Sequence, residues 1–351
     1  MFRGAAAHLP SPLDTPPFTL AVLAGGYSRE AAVSLRSAET VMQHIDRSRY
    51  QPYLVRIERG GWWAEGPDGA ILPIDRRDFT ATTSDGPLFF DGVFVMVHGS
   101  PGEDGKLQGY FELLGIPCST GGSRSMALTF HKGWTTSLLR DAGIPVARSI
   151  ELFPHEPLTD DLLTDLTQQL GLPCFVKPNE AGSSIGVHRV DTLDRLRPAI
   201  EAAFAAEPGT VLVESLLSGR EFTVGLLPPL TPGAPPTALP VTEIVSFNTF
   251  FDFQAKYEGA SHEITPADIP TEWAHAMQSI ALRIYRLLHC RGVVRIDMIW
   301  VEGVGAHVIE VNTVPGFSAA SIIPQQAAAA GLSTTELITH ILAATLDPSL
   351  P

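Results

Sequence analysis

Two apolar segments near the end of the chain carry polar residues at positions where a buried strand would have apolar core side chains. The segments are residues 293–300 (VVRIDMIW) and 307–312 (HVIEVN). The polar residues are Arg295 and Asp297 in the first segment, and Glu310 and Asn312 in the second. Within each pair the spacing is two residues, so both side chains point to one face of a strand, about 7 Å apart. A glycine-containing turn separates the segments, and the sequence therefore predicts a hairpin with one polar face.

Pairing of these strands predicts a patch of oxygen ligands. Neighbouring strands lie about 4.8 Å apart, so Asp297, Glu310 and Asn312 would lie together with Arg295 beside them. Mg²⁺ prefers carboxylate and amide oxygens and shares its shell with phosphates and water. Two ions about 4 Å apart would also fit, and Mn²⁺ is an alternative ion. The other interpretation is a half-exposed hairpin whose polar residues are simply solvated.

Two further segments suit the binding of anions. Gly316 and Ser321 follow the second strand, where backbone N–H groups and hydroxyls would lie beside a metal. Lys177 lies within an apolar strand, where burying its ammonium group without an anionic partner would cost free energy of desolvation. A Gly- and Ser-rich loop over residues 179–186 follows it. The P-loop pattern G-x-x-x-x-G-K-[ST] does not occur in the chain.

The beginning of the chain predicts an α/β unit. Residues 18–24 form a buried strand that runs into Gly25-Gly26 and then a helical pattern, with Glu30 in the turn between them. A ligand often binds at such a turn, although a capping role is the alternative for Glu30. His98 leaves a second buried strand into a glycine-rich loop. This is a position where open α/β sheets bind ligands, but His98 alone is more often a loop or capping residue.

Three more charged residues have both a structural and a functional interpretation. Lys132 falls within a helix predicted over residues 125–141, where a lone lysine is usually solvated. Glu214 ends one strand and Glu221 begins the next. Both glutamates could accept hydrogen bonds from an adenine amino group and ribose hydroxyls, and solvation at strand ends is the alternative.

Composition limits the classes of partner. The chain has 351 residues, enough for two or three domains, and a formal net charge of −14. This negative charge argues against binding to nucleic acid or to an anionic membrane through overall electrostatic attraction. In addition, no apolar run approaches the roughly 20 residues of a membrane span. Three cysteines without C-x-x-C spacing argue against a disulfide framework or a zinc site. We expect a cytoplasmic protein with a small-molecule partner and a flexible tail, not a signal peptide, at the start.

Ordered motifs across residues 20–346 resemble the D-alanine:D-alanine ligases of the ATP-grasp superfamily. The motifs are GGYSREAAVS, HGSPGEDGKLQG, FVKPNEAGSSIGV, VLVESLLSGREFTVG, DFQAKYEG, RIDMIW and EVNTVPGFSAAS. The resemblance implies a mixed α/β, three-domain ATP-grasp fold with an N-terminal Rossmann-like (pre-ATP-grasp) domain. The implied divisions are a tail over residues 1–17 and domains over residues 18–122, 123–215 and 216–351, with ATP between the last two.

The resemblance also implies a reaction and a set of roles. The family phosphorylates the carboxylate of one D-alanine, and the amino group of a second D-alanine attacks the acyl phosphate. ATP would be bound by Lys132, Lys177, Ser184, Glu214 and Glu221, and Mg²⁺ by Asp297, Glu310 and Asn312. Catalysis would involve Glu30, Ser183, Tyr257, Arg295 and the backbone N–H of Gly316. The substrates would be bound by His98, Lys256 and Ser321, and the family implies a homodimer.

Some positions depart from the family pattern. His131 stands where an acidic residue commonly precedes Lys132, Thr136 stands where a lysine is common, and residues 228–240 resemble a Pro-rich inserted loop. Two alternatives to a dialanine-forming ligase remain: a relative with D-lactate or D-serine as acceptor, and a nucleotide-binding regulatory protein without catalysis. Tyr257 favours the dipeptide-forming members, because ester-forming relatives commonly lack that tyrosine.

Overall fold

The computed structural model describes residues 17–66, 69–246 and 261–346. The strands are β1 (Phe18–Gly25), β2 (Tyr50–Glu58), β3 (Gly61–Glu65), β4 (Ile71–Asp75), β5 (Thr80–Thr83), β6 (Gly86–Leu88), β7 (Gly92–Val95), β8 (Ser149–Leu152), β9 (Cys174–Pro178), β10 (His188–Val190), β11 (Val211–Ser215), β12 (Arg220–Leu227), β13 (Thr237–Ala238), β14 (Thr242–Ser246), β15 (Ser261–Ile264), β16 (Val294–Val301) and β17 (Gly305–Asn312). The helices are α1 (Ala31–His44), α2 (Lys106–Leu114), α3 (Ser123–Phe130), α4 (Lys132–Asp141), α5 (Asp160–Leu170), α6 (Leu193–Ala206), α7 (Thr271–Leu287), α8 (Ile322–Ala329) and α9 (Thr334–Leu346).

The N-terminal sheet has the strand order β6-β5-β4-β3-β2-β1-β7. Strand β1, next to the edge strand β7, pairs in parallel with β2 and β7, as an α/β opening predicts. From β2 to β6 the pairing is antiparallel. The sequence did not predict β3 to β6, because these short segments lack a strong apolar pattern. The result places the ends of β1 and β7 beside each other, with Glu30 and His98 in the loops that follow.

The helix predicted over residues 125–141 is wrong, because two helices, α3 and α4, occupy that stretch. His131 separates them with an extended backbone, φ −88° and ψ 100°. Its ring Nδ1 accepts a hydrogen bond from the Trp134 N–H at 3.2 Å and thereby caps α4. Lys132 is therefore the first residue of α4 and is buried, instead of lying on a solvated helix surface.

A second sheet, in the order β10-β9-β11-β8, is antiparallel throughout. Helices α5 and α6 cover it, and their apolar residues form one core with the strands. The loop that carries Ser183 and Ser184 joins β9 to β10. Lys177 on β9 and the Gly- and Ser-rich loop are therefore consecutive parts of this sheet.

The third sheet has the order β15-β14-β12-β16-β17, with β13 added to β12. The predicted hairpin is confirmed as β16 and β17, and α7 packs on the sheet through Met277, Ala281 and Ile284. Residues 228–240 are only partly the surface loop that the sequence predicted. They contain β13 and the buried Leu239, which joins the N-terminal core.

A β-bulge at Ile309 sets the polar face of the hairpin. Met298 pairs with Val308, but the next pair is Asp297 with Glu310, so Ile309 is an extra residue in β17. Without it, Glu310 would share a face with the buried Val308. The bulge shifts the phase by one residue and turns Glu310 and Asn312 toward the site.

The last two helices, α8 and α9, return to the N-terminal sheet. Ile323, Leu337, Ile338 and Leu342 belong to the same core as the β1 residues. This packing brings the chain after β17 close to the loops that follow β1 and β7. Across the ranges that the structure describes, no helix has the length and apolar character needed to cross a bilayer.

Candidate active site

Two adjoining cavities collect the residues that the sequence predicted. The larger, about 620 Å³, is lined by residues including Glu30, His98, Lys132, Ser183, Arg295, Glu310, Asn312, Gly316 and Ser321. The smaller, about 170 Å³, is lined by residues including Lys132, Lys177, Ser184, Glu214, Glu221, Asp297 and Glu310. Lys132 and Glu310 line both, so the two spaces meet at these side chains. The remaining predicted residues, Lys256 and Tyr257, lie outside the described residues.

The β16–β17 hairpin forms the floor between the cavities. Asp297 lies opposite Glu310, and Arg295 opposite Asn312. Arg295 donates from Nε and Nη2 to the two carboxylate oxygens of Asp297, at 2.8 and 2.7 Å, and the Asn312 Nδ2 donates to Oδ2 of Asp297 at 3.0 Å. Within residues 17–66, 69–246 and 261–346, no three His, Cys, Asp or Glu side chains form a metal-binding group. A metal here would therefore bind two carboxylates and the Asn312 amide oxygen.

Glu30 does not act as a helix cap. It precedes α1, but its side chain makes no capping hydrogen bond. Instead, the Ser183 hydroxyl donates to its Oε1 at 2.5 Å, which joins the N-terminal sheet to the β9–β10 loop. The Ser28 hydroxyl donates to the His98 carbonyl at 2.9 Å and accepts from the Glu30 N–H at 3.2 Å. The carboxylate of Glu30 is thus held in the lining of the larger cavity.

His98 is held in place through both ring nitrogens. Nδ1 donates to the Val314 carbonyl at 2.9 Å, while the Ser37 hydroxyl lies 3.2 Å from Nε2 and accepts from the Phe317 N–H at 3.2 Å. This pattern is consistent with a neutral ring protonated on Nδ1. Burial lowers the pKa of His98, which favours the same neutral form. His98 therefore links the end of β7 to the loop that contains Gly316.

Glu103 is a site residue that the sequence did not indicate. The Gly99 N–H donates to its Oε2 at 2.7 Å, and the residue lines the larger cavity. Burial, with a further contribution from the nearby Glu30, raises the pKa of Glu103 to about 8. The sequence indicates the glycine-rich loop after His98, but a glutamate in a loop has no periodic pattern that could reveal its contacts.

Lys177 finds its anionic partner in Glu214. The Lys177 Nζ lies 2.6 Å from a Glu214 carboxylate oxygen, and both side chains are largely buried. The two residues sit on the adjacent strands β9 and β11. Lys132 donates from Nζ to the Ala181 carbonyl at 2.6 Å and lies 3.9 Å from Glu310. Two lysines thus approach the smaller cavity from different elements.

The unusual His131 joins a polar cluster below Lys132. Its Nε2 lies 3.3 Å from Oε1 of Glu151, and its ring stacks on Trp134 with a centroid distance of 4.2 Å. The Asn179 amide donates to the same oxygen at 3.1 Å and accepts from the Gly133 N–H at 2.7 Å. Thr136 donates to the Lys132 carbonyl at 2.9 Å. His131 and Thr136, which depart from the family pattern, therefore support the start of α4 and do not line the two cavities.

The chain after the hairpin also lines the larger cavity, through Gly316, Ser318 and Ser321. The Ser318 and Ser321 hydroxyls are 2.8 Å apart, and α8 begins directly after Ser321. A Cβ at Gly316 would lie 3.1 Å from the Ser321 hydroxyl. The backbone at Gly316 can therefore approach a ligand more closely than the backbone of another residue could.

Two family models match the chain along most of its length. "D-ala D-ala ligase N-terminus" covers residues 19–121, and "D-ala D-ala ligase C-terminus" covers residues 138–343. A D-alanine–D-alanine ligase from Phocaeicola vulgatus is 43% identical over 324 residues, which is 92% of this chain and 98% of the relative. The chain belongs to the D-alanine–D-alanine ligase family. Another ligase with the same name, from Christiangramia forsetii, is 42% identical over 328 residues, 93% of this chain and 98% of the relative.

Solved structures of this ligase family have the same fold. The VanG D-Ala:D-Ser ligase from Enterococcus faecalis has a TM-score of 0.82 and 30% identity, over 93% of this chain and 99% of that one. A D-alanine–D-alanine ligase from Bacillus anthracis in complex with ATP has a TM-score of 0.73 and 27% identity, over 94% and 97%. The predicted ATP-grasp fold is therefore confirmed.

Proposed function

We propose that the protein is an ATP-dependent ligase that joins two D-alanines and releases D-alanyl-D-alanine, ADP and phosphate for the synthesis of peptidoglycan precursors. The observation that carries this proposal is the meeting of the two cavities at Lys132 and Glu310. A nucleotide in the smaller cavity would direct its terminal phosphate into the larger cavity. There, the opposite charges of Glu30 and Arg295 suit a zwitterionic substrate. Family membership supports the same activity.

ATP would lie in the smaller cavity. Glu214 and Glu221 would accept hydrogen bonds from the adenine and ribose, and Lys132, Lys177 and Ser184 would contact phosphates. Because Lys177 pairs with Glu214 in the structure, ATP binding would let the lysine share its charge between the glutamate and a phosphate. The phosphates would then lie over the hairpin floor.

Mg²⁺ fits the donor set of that floor. Asp297, Glu310 and Asn312 offer two carboxylates and an amide oxygen from facing positions, and phosphates and water would complete the shell. The ion would supply neutralisation of phosphate charge. Since Arg295 engages both oxygens of Asp297, ion binding would replace at least one of these hydrogen bonds. Treatment with EDTA should abolish turnover, and Mg²⁺ or Mn²⁺ should restore it; full activity in EDTA would contradict this assignment.

The first D-alanine would lie with its ammonium at Glu30 and its carboxyl group near His98, and Lys256 and Tyr257 would complete this region. The carboxylate oxygen would attack the terminal phosphoryl group and ADP would leave, so a poor electrophile would gain a leaving group. The second D-alanine, held by its carboxylate at Ser321, would lose a proton from its ammonium group to water, and the resulting amine would attack the carbonyl carbon. Arg295 and the Gly316 N–H would stabilise the oxyanion as phosphate leaves.

Product analysis tests this proposal. The protein is incubated with ATP, Mg²⁺ and D-alanine, with L-alanine as the control, and phosphate and the product mass are measured. Phosphate release only with D-alanine, together with dialanine, supports the proposal. Release only when D-serine or D-lactate is added would assign another acceptor, as the resemblance to a D-Ala:D-Ser ligase makes worth testing. Nucleotide binding without release would favour a regulatory protein.

We also propose a homodimer, a cytoplasmic location, and domains with the boundaries that the sequence predicts. Family resemblance supports the dimer, and sedimentation at several protein concentrations tests it. A monomer across that range would refute the proposed dimer without affecting the reaction.

A further inference from the structure

Glu263 brings a carboxylate to the larger cavity from the edge strand β15. It pairs with Ile244, which pairs in turn with Glu221 on β12. Paired residues of an antiparallel sheet share a face, so Glu263 lies on the face that carries Arg295. It lines the same cavity as Arg295 and Ser321. The position follows a segment outside the described residues, and sequence reasoning assigned it no role.

Glu263 is tied to the segment that contains Ser321. The Gln325 Nε2 donates to Oε2 of Glu263 at 2.7 Å and to the Ala320 carbonyl at 2.9 Å. Gln325 lies in the first turn of α8, the helix that begins directly after Ser321. This one amide therefore links Glu263 to the segment that contains Ser321, where the carboxylate of the second substrate is proposed to bind.

The electrostatics of this position suit a cationic ligand group. Burial raises the pKa of Glu263, while the Gln325 hydrogen bond and the nearby Arg295 oppose the rise. A desolvated carboxylate has lost part of its hydration, so it gains from a ligand that brings N–H donors and positive charge. Arg295 would repel an ammonium group, but Asp297 already engages its guanidinium.

We propose that Glu263 binds the amino group of the second D-alanine and makes the site favour an amine over a hydroxyl as the acceptor. The inference rests on the proposed function and deepens it. At the reacting position an amino acid acceptor offers a positively charged group with several N–H donors, whereas a 2-hydroxy acid offers an uncharged hydroxyl with one O–H donor. Glu263 therefore strengthens the binding of the first class more than that of the second.

A competition assay tests this role. The full chain receives ATP, Mg²⁺ and D-alanine, with D-lactate in about tenfold excess over D-alanine, and the ratio of dialanine to D-alanyl-D-lactate is measured by mass. This ratio reports the relative kcat/KM of the two acceptors, and it does not depend on the fraction of active protein. Because a hydrogen bond to a charged group is lost, Glu263→Gln should lower the ratio about 10- to 100-fold.

Two further variants make the test specific. Glu302→Gln removes an equal charge from the exposed turn between β16 and β17, and it should leave the ratio unchanged within about twofold. Glu263→Asp keeps the charge but withdraws it by one methylene, so it should shift the ratio in the same direction by a smaller factor. This variant also serves if Glu263→Gln does not fold.

The outcomes separate the two proposals. If the wild-type protein forms dialanine and the ratio is unchanged in the Glu263 variants, the role of Glu263 is overturned and the proposed function stands. The same conclusion holds if total turnover falls without a change in the ratio, because a purely structural link to Gln325 would affect both acceptors alike. If the wild-type protein forms neither product, the proposed function fails and this inference fails with it.

Discussion

Gly182 faces the carboxylate of Glu30, and replacing it with alanine should impair the proposed site for the first D-alanine. A Cβ at this position would lie 2.4 Å from Oε2 of Glu30 and 2.8 Å from its Cδ and Oε1. Ordinary contacts begin near 3.4 Å, so the carboxylate would have to move by about 1 Å. That movement would also disturb the 2.5 Å hydrogen bond from Ser183. A displacement of this size costs about 100-fold in rate, or about 2.7 kcal/mol.

The assay is D-alanine-dependent phosphate release, with nucleotide affinity measured separately. Gly182→Ala should lower kcat/KM for D-alanine about 100-fold and change nucleotide affinity little. Gly109→Ala is the matched control, because among the residues that the structure describes a Cβ at Gly109 in α2 would meet only the Ser123 Cβ, at 3.6 Å. Wild-type kinetics for Gly182→Ala would refute this reasoning.

Three other substitutions test separate parts of the structure. Arg295→Ala should abolish turnover and leave nucleotide binding largely intact; unchanged turnover would remove Arg295 from the proposed mechanism. Lys177→Met leaves the buried Glu214 without this partner, so the free energy of unfolding should fall by about 3–5 kcal/mol; an unchanged denaturation midpoint would contradict a stabilising pair. The pKa of Glu103 is raised to about 8, so its uncharged form contributes stability that is complete below about pH 4.5 and is lost as the pH rises through 8. Denaturation between pH 5 and 9 should therefore show wild type losing up to about 1.4 kcal/mol per pH unit relative to Glu103→Gln, and parallel curves would contradict the raised pKa.

Periodic apolar patterns made the main elements of the fold predictable. The hairpin of β16 and β17, and the strand β1 with the helix α1 after it, follow from runs of apolar residues at strand or helix spacing. The antiparallel strands β3 to β6 were missed because their segments are short and half-exposed. Sheet formation there depends on pairing between neighbours, which the local pattern does not record.

The break between α3 and α4 shows a different limit. Residues 125–141 have a helical composition, but the ring of His131 caps a new helix and stacks on Trp134. A histidine cap is not among the usual signals of a helix start. The break changes the environment of Lys132 from a helix surface to a buried position between the two cavities.

The bulge at Ile309 explains why residue spacing alone predicted only part of the geometry of the hairpin. The spacing of Glu310 and Asn312 correctly placed both side chains on one face, but it did not show which face. The extra residue in β17 makes that face the one shared with Asp297. Glu103 and Glu263 could not be found by spacing, since their places depend on tertiary packing around a loop and an edge strand.

Transfer of oxygen from the substrate to phosphate tests the central proposal most directly. D-alanine labelled with ¹⁸O in both carboxyl oxygens is incubated with the protein, ATP and Mg²⁺, and the released phosphate is analysed by mass. An acyl phosphate leaves one substrate oxygen in the dipeptide carbonyl and carries the other into phosphate. We predict one ¹⁸O in the phosphate for each dialanine formed. Dialanine accompanied by unlabelled phosphate would contradict the proposed chemistry.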